Sequence, residues 1–206
     1  MIDALIYINL DRSPDRRESF ESSVPKDLKV IRCPAIDGND IEPIYKLTKY
    51  EHACLLSHLK ALEMLLQTDG NLFMVCEDDV IFNNENENDL EKIVNNCPPF
   101  DILKLHHLDI PFHSNPYFSD VYRRWNTEDK EWGAACYLIT RQAIENILNN
   151  PDKLYTVADD YIFKDVVTYT WIYMYVSLVD FETTIPTRGW KTNSSSFICK
   201  KCGHHN

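Results

Sequence analysis

Glu77, Asp78 and Asp79 stand together at the end of the apolar run Leu72-Phe73-Met74-Val75-Cys76, and Val80-Ile81-Phe82 follows them. Three carboxylates beside so apolar a stretch are costly to desolvate unless a cation or positive donors meet them. If extended backbone continues through the triplet, Glu77 and Asp79 fall on one face and Asp78 on the other. Two carboxylates on one face make half of an oxygen cage for Mg²⁺ or Mn²⁺, ions that keep water and substrate phosphate as their other ligands. The alternative is an acidic turn that merely stops a strand. The apolar run favours a metal–diphosphate site, because parallel sheets hold ligands just beyond the carboxyl ends of their strands.

Other residues with chemistry are spread along the chain. Asp11, Arg12, Arg16 and Arg17 crowd a strand-to-helix junction, where guanidiniums and helix amides can meet an anion; solvated surface charge is the competing reading. Asp159 and Asp160 are paired carboxylates that can raise one another's pKa toward that of a general base, with Asp160 the first choice. An acidic start to a helix, favourable to its dipole, would explain them equally simply. His58 lies inside a helical stretch, where a histidine is more often a satisfied partner than a catalyst. In the tail, Cys199, Cys202, His204 and His205 are spaced like one zinc knuckle without its second ligand pair, and an unordered terminus is the rival reading.

The elements that must position these groups alternate in type. Leu5–Leu10 and Leu28–Ile31 read as strands, with Ser13 as N-cap and Pro14 in the first turn of the helix between them. Asp37-Gly38 marks a turn in which Gly38 takes positive φ. Leu55, Leu59, Leu62 and Leu66 recur at helical spacing over Glu51–Gln67, and Gly70 follows as a helix stop. Leu90, Ile93 and Val94 form the buried side of a short helix, and Asp101–Leu105 is a further strand. A long aromatic loop over 109–131 is suited either to a lid or to packing on the sheet. Trp132–Ile139 is a strand entered through Gly133, Ala134 and Ala135, Thr140 caps a helix, and a last strand covers the region around Ile172–Val179. This alternation predicts an α/β sandwich with a largely parallel sheet.

Composition narrows the classes of partner. Of 206 residues, 21 are basic and 32 acidic, a net charge of −11 that argues against a general nucleic-acid surface. An anionic ligand would need local neutralisation by a metal or a few arginines. Seven cysteines without disulfide-like spacing, and no basic apolar leader, predict reduced thiols and a cytoplasmic protein. No apolar stretch is long enough to span a bilayer. The length fits one domain over 1–206, with a ligand-binding half over 1–105, a second half over 106–190 and a tail over 191–206.

Taken in order, four blocks resemble glycosyltransferase family 25, the lipooligosaccharide and procollagen galactosyltransferases. They are Ile8-Asn9-Leu10-Asp11-Arg12 with Arg16-Arg17, Ala35-Ile36-Asp37-Gly38, Cys54-Leu55-Leu56-Ser57-His58 and Cys76-Glu77-Asp78-Asp79-Val80. Gly133-Ala134-Ala135-Cys136-Tyr137-Leu138-Ile139 is a weaker fifth. The resemblance implies a GT-A-like (Rossmann-like) α/β/α fold, a UDP-sugar donor carrying galactose or glucose, Mn²⁺ (or Mg²⁺), and inversion at the anomeric carbon. It places Asp79 and Glu77 at a DxD-like metal site, with Asp78 on a ribose hydroxyl or a metal-bound water. It puts Asn9, Asp11, Arg12, Asp37 and Gly38 around the nucleotide, and Ser57 and His58 on a helix facing the donor. His204 and His205 are the candidates for a late histidine ligand. The acceptor would be a glycan or a protein hydroxyl. Two other readings use the same pocket: a UDP-binding module without catalysis, and a metal-dependent nucleotidyltransferase.

Overall fold

The computed structural model describes residues 1–82, 89–107, 122–124, 133–150, 156–173 and 175–179. Most of the aromatic loop over 109–131 and the Cys199/Cys202/His204/His205 tail lie outside the described residues.

The first elements are β1 (Ala4–Asn9), α1 (Pro14–Ser23), β2 (Val30–Pro34), α2 (Lys49–Leu66), β3 (Leu72–Glu77) and β4 (Val80–Phe82). They are followed by α3 (Asp89–Asn96), β5 (Ile102–Lys104), β6 (Tyr122–Arg124), β7 (Cys136–Thr140), α4 (Arg141–Leu148), α5 (Ala158–Phe163), β8 (Thr168–Trp171) and β9 (Val176–Leu178). Among the described residues, seven strands form one sheet in the order β2-β1-β3-β7-β5-β8-β6, and β4 pairs with β9 in a separate antiparallel ribbon. Five of the seven share one direction; β7 and β6 run against it. β7 lies between β3 and β5 and is antiparallel to both.

Strand alternation builds two cores, one on each face of the sheet. Ala4, Ile6, Phe73, Val75, Ile102, Tyr137 and Ile139 point to α2, α4 and α5. Leu5, Tyr7, Met74, Cys76, Leu103 and Leu138 point to α1, α3 and the β4–β9 ribbon. The result is an α/β/α sandwich in which β3, fully buried from Phe73 to Cys76, lies inside the sheet.

Local chemistry sets the helix ends. Thr48 and Glu51 make a reciprocal capping box at the start of α2. Thr140 caps α4 by accepting the Ala143 N–H at 3.2 Å. Ser13 stands at the N-cap position of α1, as its sequence predicts, but its side chain makes no capping bond; Pro14 supplies the start. The buried stripe of α2 runs through Leu55, His58, Leu62 and Leu65, with Leu59 and Leu66 only half-buried, so the leucine stripe read from sequence is rotated by part of a turn. Arg141 fastens the far end of α2: its guanidinium donates to the carbonyls of Leu66, Thr68 and Gly70, and its own N–H bonds Asn71.

Candidate functional site

The carboxyl end of β3 meets α1 on one side and α2 on the other. The strand ends at Glu77, and Asp78 and Asp79 form the turn into β4, so face alternation does not extend through the triplet. The Glu77 N–H donates to the Ala135 carbonyl at 2.8 Å, and the Asp79 carbonyl accepts the Val179 N–H at 2.8 Å. These backbone bonds hold the acidic corner between β7 and the ribbon.

Asp78 lines the cleft and is turned toward α1, with both of its oxygens engaged. It accepts from Asn9 Nδ2 at 2.7 Å and from Arg16 Nε at 2.7 Å, and the terminal nitrogen of Arg16 adds an ion pair. Asn9 is itself buried at the end of β1, donating also to the Ser13 carbonyl and accepting from Arg32 at 3.0 Å. Two of the residues expected on the ligand are therefore engaged with one another. Asp79 differs. Arg16 approaches one of its oxygens at 3.4 Å, while its Oδ1 is buried without a hydrogen-bond partner. Burial, with the charges of Glu77 and Asp78, pushes its carboxyl up to about 7, against the pull of Arg16.

Glu77 faces α2. Burial works against its charge, but the hydrogen bond and charge of His58, with help from Arg16, hold its carboxyl below the usual value. His58 is 1% exposed; its Nε2 lies 3.4 Å from Glu77 Oε1, and its Nδ1 lies 3.2 Å from the Tyr137 hydroxyl. One helical turn earlier, Cys54 shares that face of α2. Burial, then the carboxylates of Glu77, Asp159 and Asp79, push the Cys54 thiol well above its ordinary range. Ser57 is structural in its bonding: its Oγ donates to the Ala53 carbonyl and accepts the Ile36 N–H at 2.8 Å, pinning the 34–38 loop to α2.

That loop forms the outer rim. Arg12 and Asp37 pair at 2.5 Å, and the bond from Arg12, followed by the N–H of Asn39, lowers the Asp37 carboxyl. Gly38 does turn the chain, but not through positive φ, which among the described glycines belongs to Gly70 and Gly133. Its requirement is space, since a Cβ there would meet Tyr50 Cδ1 at 2.5 Å. Asp11 is 78% exposed and pairs with Arg32 on the outer surface, and Arg17 pairs with Glu21 on α1; both fit the reading of solvated charge at that junction. A cleft lined by Arg12, Arg16, Gly38, Cys54, His58 and Glu77 opens between these walls.

Asp159 and Asp160 occupy the first turn of α5. Burial raises the Asp159 carboxyl, opposed by the charge of Lys104 and by the Gly133 N–H, and the Glu77 and His58 charges reach it. Among the described interactions, none joins Asp160 to this cluster. Sequence reasoning passed over His106, which is buried beyond the end of β5. Burial, with His107 and Lys104 nearby, lowers its imidazole to about 4, so it is neutral, and its Nδ1 has no hydrogen-bond partner. Its only signal was position: the pair His106-His107 directly follows a predicted strand.

The donors at the corner fit a hard divalent cation. Glu77 and Asp79 supply oxygens two residues apart, and the partnerless Asp79 Oδ1 with its raised carboxyl marks a spot short of positive charge.

Comparison with known proteins agrees with the residue blocks. The model of the family described as "Glycosyltransferase family 25 (LPS biosynthesis protein)" matches residues 2–163. A protein of Drosophila pseudoobscura pseudoobscura named "Glycosyltransferase 25 family member" is 21% identical over 184 residues, covering 78% of this chain and 29% of that protein. The chain thus spans less than a third of that relative. Among solved structures, a glycosyltransferase involved in the glycosylation of the major capsid of PBCV-1 is similar with a TM-score of 0.48 at 12% identity, covering 80% of this chain and 75% of that one. A197 from STIV is similar with a TM-score of 0.46 at 16% identity, covering 91% of this chain and all of that one (100%). Likeness at this level says nothing about substrate.

Proposed function

This chain belongs to glycosyltransferase family 25, and on that premise we propose that it moves a hexose, galactose or glucose, from a UDP-sugar to a hydroxyl acceptor with inversion. The observation that carries the reading is the acidic corner at the end of β3, where Glu77 and Asp79 flank an Asp78 paired with Asn9 and Arg16 and one buried oxygen of Asp79 has no hydrogen-bond partner. Glu77 and Asp79 are the residues that would hold Mn²⁺ or Mg²⁺. When bound, such an ion supplies positive charge to offset that gathering on the departing diphosphate.

The chain's own groups do the rest. Arg16, held by Asp78 and 3.4 Å from Asp79, keeps a fixed positive charge at the corner. Arg12, Asp37 and Gly38 shape the rim that would receive the nucleotide, and Gly38 leaves Tyr50 room to stand there. A base must take the acceptor hydroxyl's proton as that oxygen attacks the anomeric carbon. Asp160 and Asp159 are the candidates, and Asp159, whose burial raises its carboxyl and which feels the charges of Lys104, Glu77 and His58, is favoured. A glycan or a protein hydroxyl is the acceptor class.

Thermal shift against UDP, UDP-galactose, UDP-glucose and nucleoside triphosphates, each with Mn²⁺, tests the reading, because a selective ligand raises the melting point by mass action. The UDP series should stabilise, and EDTA should remove the effect. A response confined to nucleoside triphosphates would instead favour nucleotidyl transfer, and UDP binding without sugar release a non-catalytic module. Asp159→Asn and Asp160→Asn then locate the base: its loss should abolish transfer and spare UDP-sugar binding.

A further inference from the structure

We propose that Cys54, His58 and Glu77 form a binding site for a divalent cation of the zinc class, separate in donor chemistry from the carboxylate pair of Glu77 and Asp79. Cys54 Sγ, a ring nitrogen of His58 and a carboxylate oxygen of Glu77 lie within 4.8 Å of one another. A tetrahedral zinc site, with bonds of about 2.3 Å to sulfur and about 2.0 Å to nitrogen or oxygen, has edges of roughly 3.3–3.7 Å. The 3.4 Å between His58 Nε2 and Glu77 Oε1 already matches such an edge. The remaining contraction, on the order of 1 Å, is a side-chain adjustment.

Three features point to an ion rather than to packing alone. The contacts of His58 Nδ1 with the Tyr137 hydroxyl at 3.2 Å and of Nε2 with Glu77 Oε1 at 3.4 Å fix the ring, and in the tautomer that donates from Nδ1 the Nε2 lone pair is free to take a cation beside the carboxylate. That outer hydrogen bond is the kind that orients a metal-bound imidazole. The Cys54 thiol, moreover, is set among carboxylates whose charge a cation offsets. Sulfur and imidazole donors select Zn²⁺ or Co²⁺, whereas Mg²⁺ and Mn²⁺ take oxygen. All three side chains line the cleft, so a fourth position is open to water or to a ligand oxygen. On binding, a metal–sulfur bond forms and the thiol proton leaves to solvent, with no change of oxidation state. Because Glu77 belongs to both donor sets, an ion here draws it away from Asp79. The site stands independently of sugar transfer and is expected in a chain that transfers nothing.

Titration of the metal-free full chain with Co²⁺ tests it, read by the near-ultraviolet charge-transfer band that only a cobalt–thiolate bond produces. One equivalent should develop the band, and Zn²⁺ should abolish it. Cys54→Ser should lose the band, His58→Gln should weaken Co²⁺ binding at least about tenfold, and the double variant Cys199→Ser/Cys202→Ser should keep the band. A wild-type chain without the band, a band surviving in Cys54→Ser, or one lost only with Cys199 and Cys202 would overturn the site. If Cys54→Ser does not fold, alkylation of the wild type decides the matter: Zn²⁺ should protect Cys54 in mass spectra, and equal labelling with and without Zn²⁺ refutes it.

Discussion

The two sides of the β3 tip carry the same kind of group in opposite conditions. Toward α1, Asp78 is met by Asn9 on one oxygen and by Arg16 on the other. On the other side Glu77, which lines the cleft, is met by His58 at 3.4 Å, and Asp79 by the Arg16 guanidinium at 3.4 Å, while an oxygen of Asp79 has no hydrogen-bond partner. A fold can bury a carboxylate cheaply by answering it, and the first side does so. The second side leaves one buried Asp79 oxygen without a hydrogen bond beside an ion pair at 3.4 Å, and that difference is what supports the proposal that Glu77 and Asp79 meet a ligand.

Substitutions can break that contrast. The largest effect is expected from Asp79→Asn, which should lower Mn²⁺-dependent release of UDP from a UDP-hexose by at least about 100-fold, with the circular dichroism spectrum unchanged. Full turnover in this variant would assign Asp79 to the structural side. The same residue gives a pH signature. A carboxyl raised from 3.8 to about 7 binds its proton more tightly in the folded chain than in the unfolded one, so its ionisation erodes stability progressively as pH climbs between those values. Urea midpoints should show Asp79→Asn gaining on the wild type across that range, and Mn²⁺ should close the gap.

Asp78→Ala should act on the other side. Removing Asp78 leaves Arg16 only the longer pair with Asp79 and leaves Asn9 without its acceptor, at a cost of up to about 3–5 kcal/mol in chemical denaturation; a loss below about 1 kcal/mol would show that Asp78 is not what holds the corner. The smallest effect belongs to the rim. Gly38→Ala drives a methyl into Tyr50 and should cost about 1–3 kcal/mol. If UDP-sugar binding weakens no further than stability explains, the rim only supports the cleft.

Much of this site was legible before the structure. An apolar run that stops at three carboxylates announces a buried strand with an expensive end, and β3 with its corner follows from that alone. The helix α2 and the start of α4 were equally open to reading, since spacing and capping residues are local. The direction of β7 was not, because it depends on which neighbours it meets and on how the chain returns to them. Nor was the division between Asp78 and Asp79: it is made by Arg16, sixty-two residues away in sequence from Asp78. Cys54 and His58 offered a faint signal in their four-residue spacing, but their third companion comes from another element, and no periodicity records that meeting.

Arg141 gives the cleft a mechanical asymmetry. Grasping the carbonyl of the last residue of α2 and two more just after it, it joins that helix to α4 and to the foot of β3. The wall bearing Cys54 and His58 is thereby an anvil. The opposite wall, around Arg12 and Asp37, is tied down by the Ser57–Ile36 and Asn9–Ala35 hydrogen bonds, and its outermost tie is an ion pair whose arginine is half exposed.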